Sequence, residues 1–266
     1  MLPDLSLEGR NAIVTGAGRG IGRAIALVLA EAGASIVATA RTEPEIQATA
    51  SSIREMGGNA ISILSDVSDS SSVDSMVSEA QDRLGNIDIM VNNAGVLSMS
   101  PALDIEASDW DRHFAVNTKG VLFCSQAAGR QMLAQGDGGR IICIVSTAGR
   151  LPSFPDTPIA SYVASKHATM GLIQQMSQEL APHGILMNAV FPGIVDGEML
   201  RSMHRTVAAQ TGETYEQVRE RVLKKIPVGR YQTPADVANV VAFLASSDAN
   251  YSVGQVFDVN GGAFFW

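Results

Sequence analysis

Cysteine is nearly absent from this chain, with two residues in 266, and the four histidines are scattered. No CxxC pair or His/Cys cluster has metal-ligand spacing, so neither a disulfide scaffold nor a metal site is expected. Cys124 and Cys143 lie in apolar contexts and read as buried free thiols. Basic residues are also few. Nineteen Lys and Arg face 27 Asp and Glu, a net charge of −8 without any basic block, which argues against a nucleic-acid partner. No apolar run reaches the length of about 18 residues that a membrane span requires. The start, Met1-Leu2-Pro3-Asp4-Leu5, lacks a charged segment leading into an apolar one, so secretion is not expected and a cytoplasmic location is. Long Pro/Gly/Ser linkers are missing too, and residues 1–266 are expected to form one domain.

What is present is apolar residues at 46% and 25 glycines, arranged in a repeating pattern. Short apolar runs at 11–15, 35–40, 60–65, 87–92, 140–145, 185–191 and 256–259 read as strands. Most are continuous rather than alternating, as strands covered on both faces should be. Between them lie helical periods such as Ile21, Ala24, Ile25, Val28 and Leu29, which Gly33 then stops. Repeated β–α units predict a Rossmann-like α/β fold: a doubly wound parallel sheet of about seven strands with helices on both faces.

The chemistry-bearing residues fall at the carboxyl ends of these strands, where open α/β sheets bind ligands. After the first strand comes Thr15-Gly16-Ala17-Gly18-Arg19-Gly20-Ile21-Gly22, which fits T-G-x-x-x-G-x-G but not GxGxxG. Such a turn can serve tight packing alone. Placed between a strand and an amphipathic helix, it is better suited to seat a phosphate on free backbone N–H groups. The second strand ends in Ala40-Arg41, with no carboxylate at its tip. A guanidinium there suits a 2′-phosphate, and Arg19 can approach the same group, which points to NADP(H) over NAD(H). Asp66-Val67, Asn92-Asn93-Ala94-Gly95, Ser146 and Pro192-Gly193 close later strands. In the helix beginning near Ser108, Trp110, Phe114, Asn117 and Val121 share one expected face. Tyr162 and Lys166 lie four apart, hence on one helical face, where the ammonium is expected to lower the phenol pKa. Many amphipathic helices carry such a pair, and its meaning here depends on the other motifs.

Taken in order, these motifs resemble the short-chain dehydrogenase/reductase family from about Leu5 to Gly262, including the closing Gly254-Gln255-Val256 and Gly261-Gly262. The resemblance implies Tyr162 as general acid/base, Lys166 lowering its pKa and holding the nicotinamide ribose, Ser146 positioning the substrate oxygen, and Asn117 anchoring a relay water. It also implies a cofactor site from Gly16, Arg19, Gly20, Ile21, Arg41, Asp66, Val67, Asn92, Ala94, Gly95, Tyr162, Lys166, Pro192, Gly193 and Val195, with no metal. A homotetramer or homodimer, built partly on helices around 108–134 and 161–182, is implied as well.

Three departures stand out. Fifteen residues separate Ser146 from Tyr162, about three more than usual, and they include Pro152, Pro155 and Pro158. That leaves Thr147 as an alternative to the preferred Ser146. Gly197 occupies a position where the family often has threonine. Ala40-Arg41 replaces the acidic residue of NAD-dependent members.

The substrate segment is expected at about 194–227, with Met199, Leu200 and Met203 as an adaptable apolar lid, and Phe154, Phe191, Phe264, Phe265 and Trp266 as further walls. His204 and Arg205 are expected to be solvated rather than substrate-binding. The expected activity is hydride transfer between NADP(H), with NAD(H) as the alternative, and a moderately apolar alcohol or ketone. Reduction of a 3-oxoacyl thioester and a non-catalytic NADP(H)-binding regulator are the competing readings.

Overall fold

The computed structural model describes residues 5–153 and 156–265. Met1–Asp4, Phe154, Pro155 and Trp266 lie outside the described residues, and with them the start of the chain, one insert proline and two candidate walls. Seven parallel strands pair in the order β3-β2-β1-β4-β5-β6-β7. They are β1 (Asn11–Thr15), β2 (Ser35–Ala40), β3 (Ala60–Leu64), β4 (Ile89–Asn92), β5 (Gly139–Ile144), β6 (Ile185–Pro192) and β7 (Val256–Val259). The order of the strands reverses between β1 and β4, the topological switch where such folds open a crevice.

The strands are apolar on both faces because both faces are covered. Successive strand residues point to opposite sides. Ala12, Val14, Ile36 and Ala38 therefore enter one core with α1 (Gly20–Glu31), α2 (Glu43–Glu55) and α9 (Pro234–Ala245). Ile13, Val37 and Met90 enter the other, with α3 (Ser70–Leu84), α5 (Gly120–Gln135) and α6 (Ala160–Leu180). Local chemistry sets the helix ends. Asp69 caps α3 through the Ser71 N–H, Thr233 and Asp236 form a capping box ahead of Pro234 in α9, and left-handed Gly136 closes α5.

The strand limits match the sequence pattern to within two residues, but the helix before Asn117 does not follow it. A π-helical turn, Phe114–Lys119, joins α4 (Ala107–His113) to α5. Its wider turns shift the inward face. His113, Val116, Asn117 and Val121 are buried, whereas Trp110 is 40% exposed and stacks on Phe114 at 4.7 Å. The expected Trp110–Phe114–Asn117–Val121 face is corrected accordingly.

A staple across the switch fixes the crevice. The buried Thr15 hydroxyl at the end of β1 accepts from the Asn93 and Ala94 N–H groups at 2.9 and 3.0 Å. The Asn93 amide donates back to the Thr15 carbonyl at 2.9 Å. Thr15→Val keeps the shape but leaves two backbone donors unpaired, and roughly 2–4 kcal/mol of stability should be lost. Urea denaturation tests this. A change within about 0.5 kcal/mol, the range of an ordinary surface substitution, would show the staple to be idle.

Candidate active site

Along the carboxyl edge of the sheet runs a cavity of about 1070 Å³. Its first end is the glycine turn. Gly16 has a φ of +66°, and a side chain there would meet the Asn93 amide at 2.9 Å. A Cβ on Gly22 would come 2.2 Å from the Gly16 carbonyl oxygen, so only glycine fits. Gly20, at φ +55°, faces open space. The turn leads into α1, whose first turn has no side-chain cap and no acidic residue. Free N–H groups and a bare backbone cradle fit the pyrophosphate of a dinucleotide.

Arg41 and Arg19 line the cavity mouth, as the sequence reading requires for a 2′-phosphate. The tip is less free of carboxylate than the sequence suggests. Arg41 lies 3.7 Å from Asp66, and Arg19 lies 3.8 Å from Glu45. Both ion pairs are loose and largely exposed, so an incoming phosphate competes with them at little cost. Burial acts to raise the Asp66 pKa, but hydrogen bonds from Ser68 and the nearby Arg41 outweigh it, and the carboxyl sits below its usual value.

Deeper in, α6 presents Tyr162 and Lys166 one helical turn apart. Lys166 is 4% exposed. Its Nζ donates to the Ile144 carbonyl at 3.2 Å and lies 5.6 Å from the Tyr162 ring centre. Burial pulls the Lys166 pKa from 10.5 down to about 8, opposed by the neighbouring Cys143. For Tyr162 the sign is opposite to the sequence expectation. Burial pushes the phenol above 10.0, and a hydrogen bond with Ser146 pulls it partly back. Desolvation thus dominates the phenol. The Ser146 hydroxyl also accepts from the Ala148 N–H at 3.1 Å. Ser146, not Thr147, is the hydroxyl that acts on the phenol.

The cavity is lined by all the expected site residues except two. Asn92 is buried and turns away, donating to the Ser125 hydroxyl at 2.9 Å. Asn93, its neighbour, lines the cavity instead. Asn117 sits behind the wall. Its amide accepts from the Val96 N–H at 2.8 Å and donates to the Val96 carbonyl and the Ser165 hydroxyl, both at 3.0 Å. These bonds lock the strand-end segment carrying Gly95 against α6. A side chain at Gly95 would stand 3.4 Å from the Asn117 amide oxygen and 3.8 Å from the Lys166 ammonium.

The profile of the short chain dehydrogenase family matches residues 10–208, about three quarters of the sequence. The chain belongs to this family. Among curated relatives, the sorbitol dehydrogenase of Cereibacter sphaeroides is 37% identical over 97% of this chain and 98% of its own. A 3-oxoacyl-[acyl-carrier-protein] reductase of Staphylococcus aureus is 37% identical over 96% and 98%. The crystal structure of a putative 2-deoxy-D-gluconate 3-dehydrogenase from Agrobacterium tumefaciens with bound NADP superposes with a TM-score of 0.86, at 35% identity and 98% of each chain. A 7α-hydroxysteroid dehydrogenase complexed with NADH gives 0.88, at 31% identity and likewise 98% of each chain. As a member of this family, the protein is an NAD(P)-dependent oxidoreductase.

Several features of this family member lay beyond the sequence reading. His113 is fully buried edge-on to Tyr162, with ring centres 6.4 Å apart. Its Nδ1 donates to the Asp109 carbonyl at 2.8 Å, leaving Nε2 to accept from the Ser98 N–H at 3.2 Å. Only the burial of its helical position, visible once the π turn is placed, marks it out. At the substrate end, Phe191 lies in the core and Phe265 is 83% exposed, so of the described aromatic candidates only Phe264 forms a wall. His204 is not solvated but buried, and it lines the cavity. Among the described residues there is no three-residue metal-ligand cluster and no helix long and apolar enough to cross a membrane. Both free thiols are buried and pushed up to about 12, chiefly by desolvation, which leaves them unreactive.

Burial of the Lys166 ammonium has a thermodynamic signature. Below its folded pKa of about 8 the lysine is charged in both states, and the fold bears the full desolvation cost. Between about 8 and 10.5 the folded chain releases the proton while the unfolded chain keeps it, so the cost fades as pH rises. Lys166→Met should therefore raise Tm near pH 7, with the gain shrinking towards about pH 10. Thermal denaturation of both proteins across that range tests it. A gain that is absent, or that grows with pH, would contradict a desolvated ammonium.

Proposed function

We propose that the chain is an NADP(H)-dependent alcohol dehydrogenase and ketone reductase in which Tyr162 is the general acid/base. The carrying observation is that Tyr162, Ser146 and the buried Lys166 come together at the wall of one cavity whose other end is the glycine turn. The bound dinucleotide supplies or accepts a hydride at its nicotinamide ring. Ser146 donates a hydrogen bond to the substrate oxygen and fixes it beside the phenol. In reduction, Tyr162 gives its proton to the carbonyl oxygen as the carbon becomes a carbinol. In oxidation, the same oxygen returns its proton to the tyrosinate. Lys166 favours that tyrosinate and, through Ile144, is held in place to meet the cofactor ribose. Asn117 acts as a positioning residue, joining Val96 to Ser165 behind the lysine.

A phenol raised by burial is protonated at neutral pH and suits the donor role. The tip residues Ala40 and Arg41, together with Arg19, support NADP(H). Reduction of a 3-oxoacyl thioester is the second reading, favoured by the relative from Staphylococcus aureus. We also propose a single domain and a cytoplasmic homo-oligomer, supported by the exposed apolar side chains of Leu103, Trp110 and Leu133 on and around α4 and α5.

A screen of ketones and alcohols by NADPH absorbance tests the function. Wild type should turn over members of the panel, and Tyr162→Phe should be slower by about 10²–10⁴-fold. No turnover, or a fully active variant, would remove the proposal. Reduction should hold steady below about pH 8 and fall above it as Lys166 loses its charge. A rate that climbs through that pH would refute the assigned role of the ammonium. Arg41→Asp should weaken NADPH by about tenfold while improving NADH, as loss of one charge-assisted contact implies. An unchanged preference would exclude Arg41 from cofactor choice.

A further inference from the structure

The distal end of the cavity is built by two segments. These are the insert before Tyr162 and the helices α7 (Glu198–Thr211) and α8 (Tyr215–Leu223). Asp156 of the insert pairs with Arg221 of α8, which also holds Glu213 at 2.8 Å. Arg201 is likewise held by Asp196 at 2.9 Å and Glu198 at 3.4 Å. The guanidinium groups of Arg201 and Arg221 are therefore each held by two carboxylates, Glu198 being shared with Arg205, and neither is disposed to take an anionic substrate. Met203, Val207, Val218 and Val222 supply apolar lining.

Among the polar side chains that share this end, one is buried without a hydrogen-bond partner. His204 projects from the inward face of α7 and is 3% exposed, yet neither Nδ1 nor Nε2 has a hydrogen-bond partner among the described residues. The rings of Tyr215 and Tyr231 flank it at 5.6 and 5.9 Å and offer its nitrogens no contact. Desolvation, with Arg219 and Arg221 nearby, lowers its pKa despite the opposing Asp196, so the imidazole is neutral at physiological pH. A neutral imidazole has one donor and one acceptor, as does a hydroxyl. A buried polar group of this kind demands a partner, and a plain acyl or alkyl chain supplies none.

Resting on the oxidoreductase reading above, we propose that His204 is a specificity-determining residue that hydrogen-bonds a hydroxyl of a neutral, polyhydroxylated substrate, an open-chain polyol or the corresponding ketose. Hydride leaves or reaches the carbon beside Tyr162, while a second hydroxyl further along the chain meets the imidazole. The carboxylates on Arg201 and Arg221 select against carboxylated analogues, and His204, buried with both nitrogens unpartnered, is the anchor at that end.

The test compares a hexitol with hexan-2-ol, which lacks the additional hydroxyls, in wild type, His204→Phe and His204→Gln. His204→Phe should lower kcat/KM for the hexitol by about tenfold, mainly through KM, the effect expected for losing one neutral hydrogen bond. Activity on hexan-2-ol should be nearly unchanged, and His204→Gln should recover part of the hexitol activity. NADP affinity and Tm should stay close to wild type, which a merely structural histidine would not allow. In wild type with NADP bound, nitrogen NMR of the His204 imidazole should shift on adding the hexitol and not on adding hexan-2-ol; this readout does not depend on the folding of any variant. Equal losses on both alcohols, no loss on either, or an imidazole indifferent to the hexitol would overturn the proposal. Turnover of hexan-2-ol with rejection of every hexitol would overturn it while leaving the oxidoreductase reading intact. Failure of wild type on all alcohols and ketones would instead remove that reading, and this inference with it.

Discussion

A lysine ammonium held almost out of water is the constraint around which this structure is arranged. Lys166 is 4% exposed, and its recorded protein partner is the carbonyl at the end of β5. Taking a charge out of water is costly unless polar groups are brought to it. The parallel sheet supplies them, because strand ends at a switch point leave carbonyls and amides pointing into one crevice. Asn117 ties the segment after β4 to α6 behind the lysine, and the π turn gives Asn117 the orientation to do so. The same crevice is held open by the Thr15–Asn93 staple, which also sets the glycine turn. Stability is thereby given up at one point to place a charge beside a phenol, a pattern typical of functional sites.

The two ends of the cavity follow different physics. At the cofactor end the backbone does the recognising: close-packed glycines, an uncapped helix start and arginines in loose, exposed ion pairs that an anion can exchange. At the substrate end the cations are already matched by carboxylates, and an imidazole with unpaired nitrogens lies between two tyrosine rings. Exchangeable cations thus lie at one end of a continuous groove and carboxylate-matched cations at the other.

Much of this was legible in the sequence, for identifiable reasons. Strands buried on both faces write themselves as continuous apolar runs, and glycines that admit no Cβ, such as Gly16 and Gly22, mark the cradle directly. That Tyr162 and Lys166 share a helix face follows from their spacing, whereas their meaning depends on the other motifs. What escaped depends on three-dimensional packing. The π turn has no periodic signature, so Trp110 was placed inward and His113 overlooked. Asn92 and Asn93 are adjacent and chemically identical, and only the pleat decides which one turns to the sheet interior. His204 sits in a charged stretch that reads as solvated, and the buried face of α7 appears only when α8 and Tyr231 pack against it. The direction of the Tyr162 shift was misjudged because spacing reveals the neighbouring cation but not the desolvation that opposes it.

The dominance of desolvation over this pair is tested most directly by NMR titration of isotope-labelled Lys166 and Tyr162. The account predicts that Lys166 titrates at about 8, well below 10.5, while the Tyr162 phenol titrates above 10.0. A lysine that keeps its ordinary pKa beside a phenol that titrates below 10.0 would contradict it.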